Sequence, residues 1–122
     1  MKNLEEFAGE KYINLQTLRK SGQSVNTPVW FVVSNQKLYV ITRELTGKVK
    51  RIKNNNNVKI ALCTFSGKLK GEWISGKTEL ITGDEANKAI SLRNKKYGFW
   101  AKMIGVFSAK KGKYVVYSIL LE

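Results

Sequence analysis

The sequence predicts a mainly β fold: an antiparallel barrel or sandwich with two or three helices inserted between its strands. Three observations predict it. About six short segments show apolar alternation or dense β-branched and aromatic content. Turn pairs at Ser21-Gly22, Ser34-Asn35 and Ser66-Gly67 punctuate them at hairpin spacing. No Gly-rich strand-to-helix fingerprint is present, so a Rossmann or P-loop site has no support. At 122 residues the chain is expected to form one domain over 1–122. A chain of that size buries roughly two-thirds of its unfolded surface.

Each element follows from local pattern. Residues 2–9 place Leu4, Phe7 and Ala8 at helical spacing. Residues 12–18 alternate, with Ile13, Leu15 and Thr17 on one face and Asn14 and Gln16 on the other, as in a half-buried strand. Residues 25–33 read as one strand, and residues 37–42 follow as its hairpin partner. Over 44–57, Leu45, Val49 and Ile52 recur at four and three, which predicts a short helix ending at the Asn run. Residues 58–65 alternate again. Residues 69–81 read as a long strand, with Gly71 and Gly76 marking bulges or bends. Thr82 and Glu85 form the pattern of a capping box. The helix it opens runs over about 84–97, burying Ala86, Ala89, Ile90 and Arg93's stem or Tyr97, and Gly98 stops it. Residues 114–121 are nearly all apolar, as in a strand covered on both sides.

Composition excludes several chemistries. Twenty-two basic residues stand against nine acids, a net charge of +13, and there is no histidine. Ser-His-Asp triads, His general acid/base catalysis and His metal sites are therefore absent. Cys63 is the single cysteine, so no internal disulfide or Cys-rich zinc site forms. In a predicted strand it reads as an inert buried thiol. The opening residues carry Glu5, Glu6 and Glu10 and no apolar signal core. The longest apolar run, 114–121, is too short to span a bilayer. A cytoplasmic protein with no membrane partner is expected.

The charge is concentrated. Residues 43–70 hold eight basic residues against Glu44 alone, and residues 86–121 hold no acid. Within the first of these stretches, Thr42, Thr46, Gly47, Lys48 and Arg51 stand where a strand gives way to a helix. That is what an anion site needs: free backbone N–H groups, a close-approach glycine, hydroxyls and cations. Lys48 suits a point contact and Arg51 a bidentate one. Pro28, the only proline, lacks an N–H and belongs on an edge strand.

Residues 12–51 together resemble the pyridoxamine 5′-phosphate oxidase-like superfamily of split β-barrel flavoproteins, and most nearly its flavin/deazaflavin-dependent oxidoreductase branch. The resemblance rests on Tyr12, Leu15, Thr17 and Gly22, then Thr27-Pro28-Val29-Trp30-Phe31, Tyr39, Thr42, Gly47-Lys48 and Arg51. Gly71-Glu72-Trp73, Gly76, residues 82–86 and Lys96-Tyr97-Gly98 extend it over nearly the whole chain. It implies a six-stranded antiparallel split β-barrel of the FMN-binding type, paired as a homodimer with two cofactors in the interface. The segment matching Thr42 to Arg51, with Thr46, Gly47 and Lys48, would hold the cofactor phosphate. The strand matching Thr27, Pro28, Val29 and Trp30 would lie beside the ring. The cofactor would be FMN or the deazaflavin coenzyme F-420, whose more anionic tail suits the basic excess. Where the family's turn before the next strand has Asn-Pro, this chain has Asn56-Asn57.

The implied activity is hydride transfer to a small organic acceptor, with the chemistry carried by the cofactor. No pattern identifies a proton donor; Tyr39 and Lys48 are the available candidates. Trp73 and Trp100 read as core or dimer-interface residues, residues 99–104 as a lid or interface segment, and residues 110–113 as a hairpin tip. Two other readings stand beside this one. The basic charge with Trp30, Phe31 and Tyr39 suits an OB-like single-stranded nucleic-acid-binding module. A cofactor carrier or sensor without turnover has the same sequence features.

Overall fold

The computed structural model describes residues 4–122. Seven strands form one antiparallel sheet: β1 (Ile13–Leu18), β2 (Ser24–Val29), β3 (Val32–Ser34), β4 (Lys37–Arg43), β5 (Asn57–Leu62), β6 (Ile74–Ile81) and β7 (Tyr114–Leu121). Helix α1 (Gly47–Asn54) joins β4 to β5, and α2 (Gly83–Tyr97) and α3 (Phe99–Ser108) lie between β6 and β7. The spatial order is β2-β1-β5-β6-β7-β4-β3.

That order forces curvature. β2 and β3 are the two edges of the sheet, yet only Trp30 and Phe31 separate them in the chain. Laid flat, seven strands would span roughly 29 Å at ordinary strand spacing. Three peptide units, from Val29 to Val32, reach at most about 11 Å. The sheet therefore curls until its edges nearly meet, as an incompletely closed barrel. The expected single strand over 25–33 is thus two strands, and the expected six strands are seven. β2 pairs with β1 across the Ser21-Gly22 turn. β3 pairs with β4 across Asn35 and Gln36, both at positive φ, as a two-residue hairpin turn requires.

The seam is fastened from α2. The Tyr97 hydroxyl accepts the buried Phe31 N–H at 3.1 Å and donates to the Lys11 carbonyl at 2.7 Å. The Trp30 ring stacks on Tyr97 at 4.2 Å and 9°. Burial pushes the Tyr97 phenol up to about 12, so it stays neutral. Phe31 then turns into the barrel and meets Phe7 edge-on at 6.1 Å.

Two cores result. Inside the barrel, Ile13, Leu15, Leu38, Val40, Ile60 and Ile119 pack with Val49 and Ile52 of α1. Outside it, Ala86 and Ala89 of α2 cover Val32, Tyr39, Ile81 and Val116. The Tyr39 hydroxyl donates to Glu85, and Lys37 reaches the same carboxylate at 3.7 Å.

Several local expectations are corrected. Residues 2–9 contribute only a 3-10 turn, Leu4–Phe7, among the described residues, and Lys2 lies outside them. α1 begins at Gly47, which leaves Leu45 66% exposed and outside the core. Thr82 occupies the N-cap of α2 without a side-chain cap bond, so the capping box does not form. Asn14 is buried despite its polar side chain, and it donates to the Gly67 carbonyl at 2.8 Å. Gly76 is no bulge, since its register to both neighbours is unbroken. It is a close approach, where a Cβ would lie 2.9 Å from Ile119. The strand expected over 69–81 keeps only Ile74–Ile81, with Leu69 bridging Cys63.

Tyr97→Phe keeps the stack but leaves the Phe31 N–H without its acceptor. Unfolding in urea is expected to show a loss of about 1–3 kcal/mol; an unchanged midpoint would mean the hydroxyl does not hold the seam.

Candidate functional site

The seam opens on a cavity of about 290 Å³. Pro28, Val29 and Trp30 of the edge strand and its exit form one wall, with Ile41, Thr42 and Arg43 from the end of β4 opposite. Thr46 and Lys48 approach from the start of α1, Arg93 from α2, and Ile104 and Ser108 from α3. Tyr12, Phe65 and Tyr114 complete the lining. Six of the nine expected site residues meet here: Pro28, Val29, Trp30, Thr42, Thr46 and Lys48. Pro28 lies on an edge strand, where its missing N–H breaks no ladder.

The other three lie apart from this lining. Thr27 is paired with Leu15 in the β1–β2 ladder. Gly47 opens α1, and a Cβ there would come within 2.8 Å of Arg51 Nη1, so the glycine makes room for that guanidinium. Arg51 Nε donates to the Thr17 hydroxyl at 2.6 Å, which ties α1 to β1. Burial, with Arg19's charge, pulls its pKa down.

Every charged residue of the lining is a cation: Arg43, Lys48 and Arg93. The first turn of α1 adds N–H groups that have no intrahelical acceptor. The three cations differ in what they hold. Arg43 is committed: Nε donates to Ser108 Oγ at 3.0 Å, Nη2 to the Gly105 carbonyl at 2.9 Å, and Nη1 to the Gly112 carbonyl at 3.0 Å. Its guanidinium also lies 3.7 Å from the Tyr114 ring centre. It fastens α3 to the sheet. Arg93 is only 5% exposed and bonds a neutral group, Asn94 Oδ1, with Tyr114 at 4.6 Å. Lys48 has no ion pair among the described residues, and burial, then Arg51's charge, lowers its pKa. A concave site with an apolar wall and unpaired cations accepts an anion with a flat apolar part.

Beyond the six, the lining adds Tyr12, Ile41, Arg43, Phe65, Arg93, Ile104, Ser108 and Tyr114, none of them among the nine expected site residues, although Tyr12 carries the resemblance, Arg43 lies in the 42–51 segment and Ile104 in the expected lid segment. The signal for Arg93 was a cation on the buried face of α2 in a stretch without acids. Arg43 and Tyr114 meet through β4–β7 pairing, and Ser108 joins them from α3 by its bond to Arg43, so no local signal marks the group. Phe31 and Tyr39 are buried, so they do not form an exposed stacking platform with Trp30. Cys63 is buried, and burial raises its thiol pKa.

A curled antiparallel sheet, nearly closed, with a cationic cavity at its seam, defines the split-barrel class. The profile of the pyridoxamine 5′-phosphate oxidase family matches residues 1–122, the whole chain. The protein belongs to that family. Among solved structures, an F420 reductase is similar at a TM-score of 0.69 and 17% identity, over 100% of this chain and 95% of that one. An FAD-binding protein from Mesorhizobium loti is similar at 0.68 and 18%, over 95% and 82%. A heme storage protein from Vibrio cholerae is similar at 0.71 and 12%, over 99% and 92%. At these identities the likeness is one of fold. No curated protein matches significantly.

Two measurements probe the site's frame. Arg43→Ala removes three bonds to α3 and its surroundings. Amide exchange over 99–112 is expected to accelerate, with about 1–3 kcal/mol of stability lost; unchanged exchange would show that α3 is held otherwise. Lys96 donates to the Phe31 carbonyl at 3.0 Å beside the seam. Burial lowers its pKa from 10.5 to about 8, against a raising effect of Glu10. Between those values the unfolded chain binds more protons than the folded one, so stability rises with pH. Urea midpoints of the wild type should therefore gain on those of Lys96→Met from pH 8 to 10. Parallel curves would refute the shift.

Proposed function

We propose that the protein binds a flavin-type cofactor in this cavity and serves hydride transfer to a small organic acceptor. The observation that carries the reading is one cavity that joins the start of α1, with Lys48 and Thr46, to the proline-bearing edge strand. The α1 N–H groups and Lys48 would receive the cofactor phosphate. Thr46 Oγ1 donates to the Arg43 carbonyl at 2.9 Å, so its proton is already engaged. Pro28, Val29 and Trp30 would lie along the ring, with Trp30 held by its stack on Tyr97. Arg93 supplies a buried positive charge on the far wall. When bound, a flavin or deazaflavin supplies the hydride chemistry. The protein's part is to bind, orient and shield. The F420 reductase and FAD-binding relatives support a flavin-type ligand.

The cofactor is FMN or the deazaflavin coenzyme F-420, and the basic excess favours the more acidic tail of the latter. The cavity is open at the exposed ring of Phe65, which suits closure by a second copy as a homodimer. The heme storage relative, at 12% identity, shares the fold; with no histidine in this chain, a heme iron here would have to take another ligand, such as Tyr12 or Tyr114 of the lining.

The test is a side-by-side titration of the purified protein with FMN, F-420 and hemin, followed by absorption and ring fluorescence. Micromolar binding of FMN or F-420 is expected. Binding of neither, or of hemin alone, sinks the reading; binding without turnover of any acceptor leaves a carrier. Lys48→Ala should weaken cofactor binding by about 1–3 kcal/mol, and the exposed Lys50→Ala should change it little. Equal affinities of the two variants would place the phosphate elsewhere.

A further inference from the structure

Helix α3 is apolar on the side it turns away from the protein. At 100° per residue, Val106, Phe99, Met103, Phe107 and Trp100 fall within an arc of about 120°. The opposite side carries Ala101, which is buried, and Gly105 and Ser108, which Arg43 binds. Four of the arc's residues, Phe99, Trp100, Val106 and Phe107, are between 63% and 77% exposed. Contiguous exposure of that kind marks an interaction surface.

The surroundings say what covers it. Lys95, Lys102, Lys110, Lys111 and Lys113 flank or punctuate the helix and are exposed, and no acid occurs from 86 to 121. Glu44, which packs against Gly112, is engaged with the Lys113 N–H at 2.5 Å. A second copy docking through the same arc would bring like lysines together, since a two-fold contact presents each patch to itself. An anionic bilayer complements both parts. Apolar side chains enter the headgroup boundary while lysines meet lipid phosphates.

We propose that α3 is a docking element for an anionic lipid surface. This contact lies on the membrane and does not span it. α3 has 10 residues, and no described helix is long and apolar enough to cross. The expectation of no membrane partner rested on span length, which does not bear on a surface contact. The proposal depends on neither the cofactor nor its chemistry.

The intact chain is sedimented with phosphatidylcholine vesicles, with and without phosphatidylglycerol, at low and high salt. Binding is expected to the anionic vesicles and to fall as salt rises. Phe107→Glu and Val106→Glu, both at exposed positions, should each lower partitioning about tenfold or more. Tryptophan emission should shift to the blue on binding. Trp100→Phe should abolish that shift while binding remains. Three results would overturn the proposal. One is no association with anionic vesicles at low salt. Another is association that Phe107→Glu leaves unchanged, which would assign it to scattered lysines. The third is a dimer that Phe107→Glu dissociates without vesicle binding in either form, which would make a second copy the occupant.

Discussion

The structure depends on a short tether. Two residues, Trp30 and Phe31, connect opposite edges of a seven-stranded sheet. No flat arrangement satisfies that length, so curvature is a matter of covalent geometry before any packing is considered. The same tether decides where side chains go. Consecutive residues of an extended chain point oppositely, so Phe31 enters the barrel and Trp30 faces the cavity outside it. α2 then has a defined task at its C-terminal end. Its Tyr97 hydroxyl lies within hydrogen-bond reach of both the Phe31 N–H and the Phe31 carbonyl, groups the broken strand leaves without ladder partners. The site lies at the seam because the seam is where the barrel fails to close.

The basic excess divides into cations with different work. Arg51 and Arg43 are framework residues: one ties α1 to β1, the other ties α3 to the end of β4. Arg43's planar fork meets three acceptors at once, which an ammonium could not reproduce. Arg93 is a different case. Among the described residues, Arg93's buried guanidinium has an amide oxygen and an aromatic face beside it and no carboxylate, which compensates it poorly. Its charge raises the potential of the cavity while Lys48 and the α1 N-terminus raise it from the other side. An anion entering the cavity relieves both.

The elements with a single local cause were legible in the sequence. β1, the turn at Gly22, α2 and its stop at Gly98 follow from alternation, helical spacing and positive φ. Six of the nine expected residues line one cavity because they lie in two continuous stretches, 28–30 and 42–48. The break at Trp30–Phe31 was not legible, since β propensity runs unbroken from Val29 to Val33 and only tertiary pairing divides it. Arg51 lies outside the cavity lining because its Nε turns to the Thr17 hydroxyl on β1, while its Nη1 stays beside Gly47 at the start of α1. Thr82 and Glu85 have the spacing of a capping box, yet Glu85 is taken by the Tyr39 hydroxyl. In each case a partner distant in sequence outcompetes the local one.

α3 lies between the cavity and the apolar arc. It lies between two glycines at positive φ, Gly98 and Gly112, and buries Ala101 alone of its residues, so local opening of this segment should lie well below global unfolding. Its inner side gives Ile104 and Ser108 to the cavity, and its outer side is the apolar arc. Whatever covers the arc therefore restricts the position of a cavity wall. Whatever fills the cavity restricts the presentation of the arc. Two ligands that order one segment from opposite sides assist one another, and the coupling is the same whichever binds first. Arg43 sets its size, because the more firmly the guanidinium already holds α3, the less ordering remains for either ligand to supply.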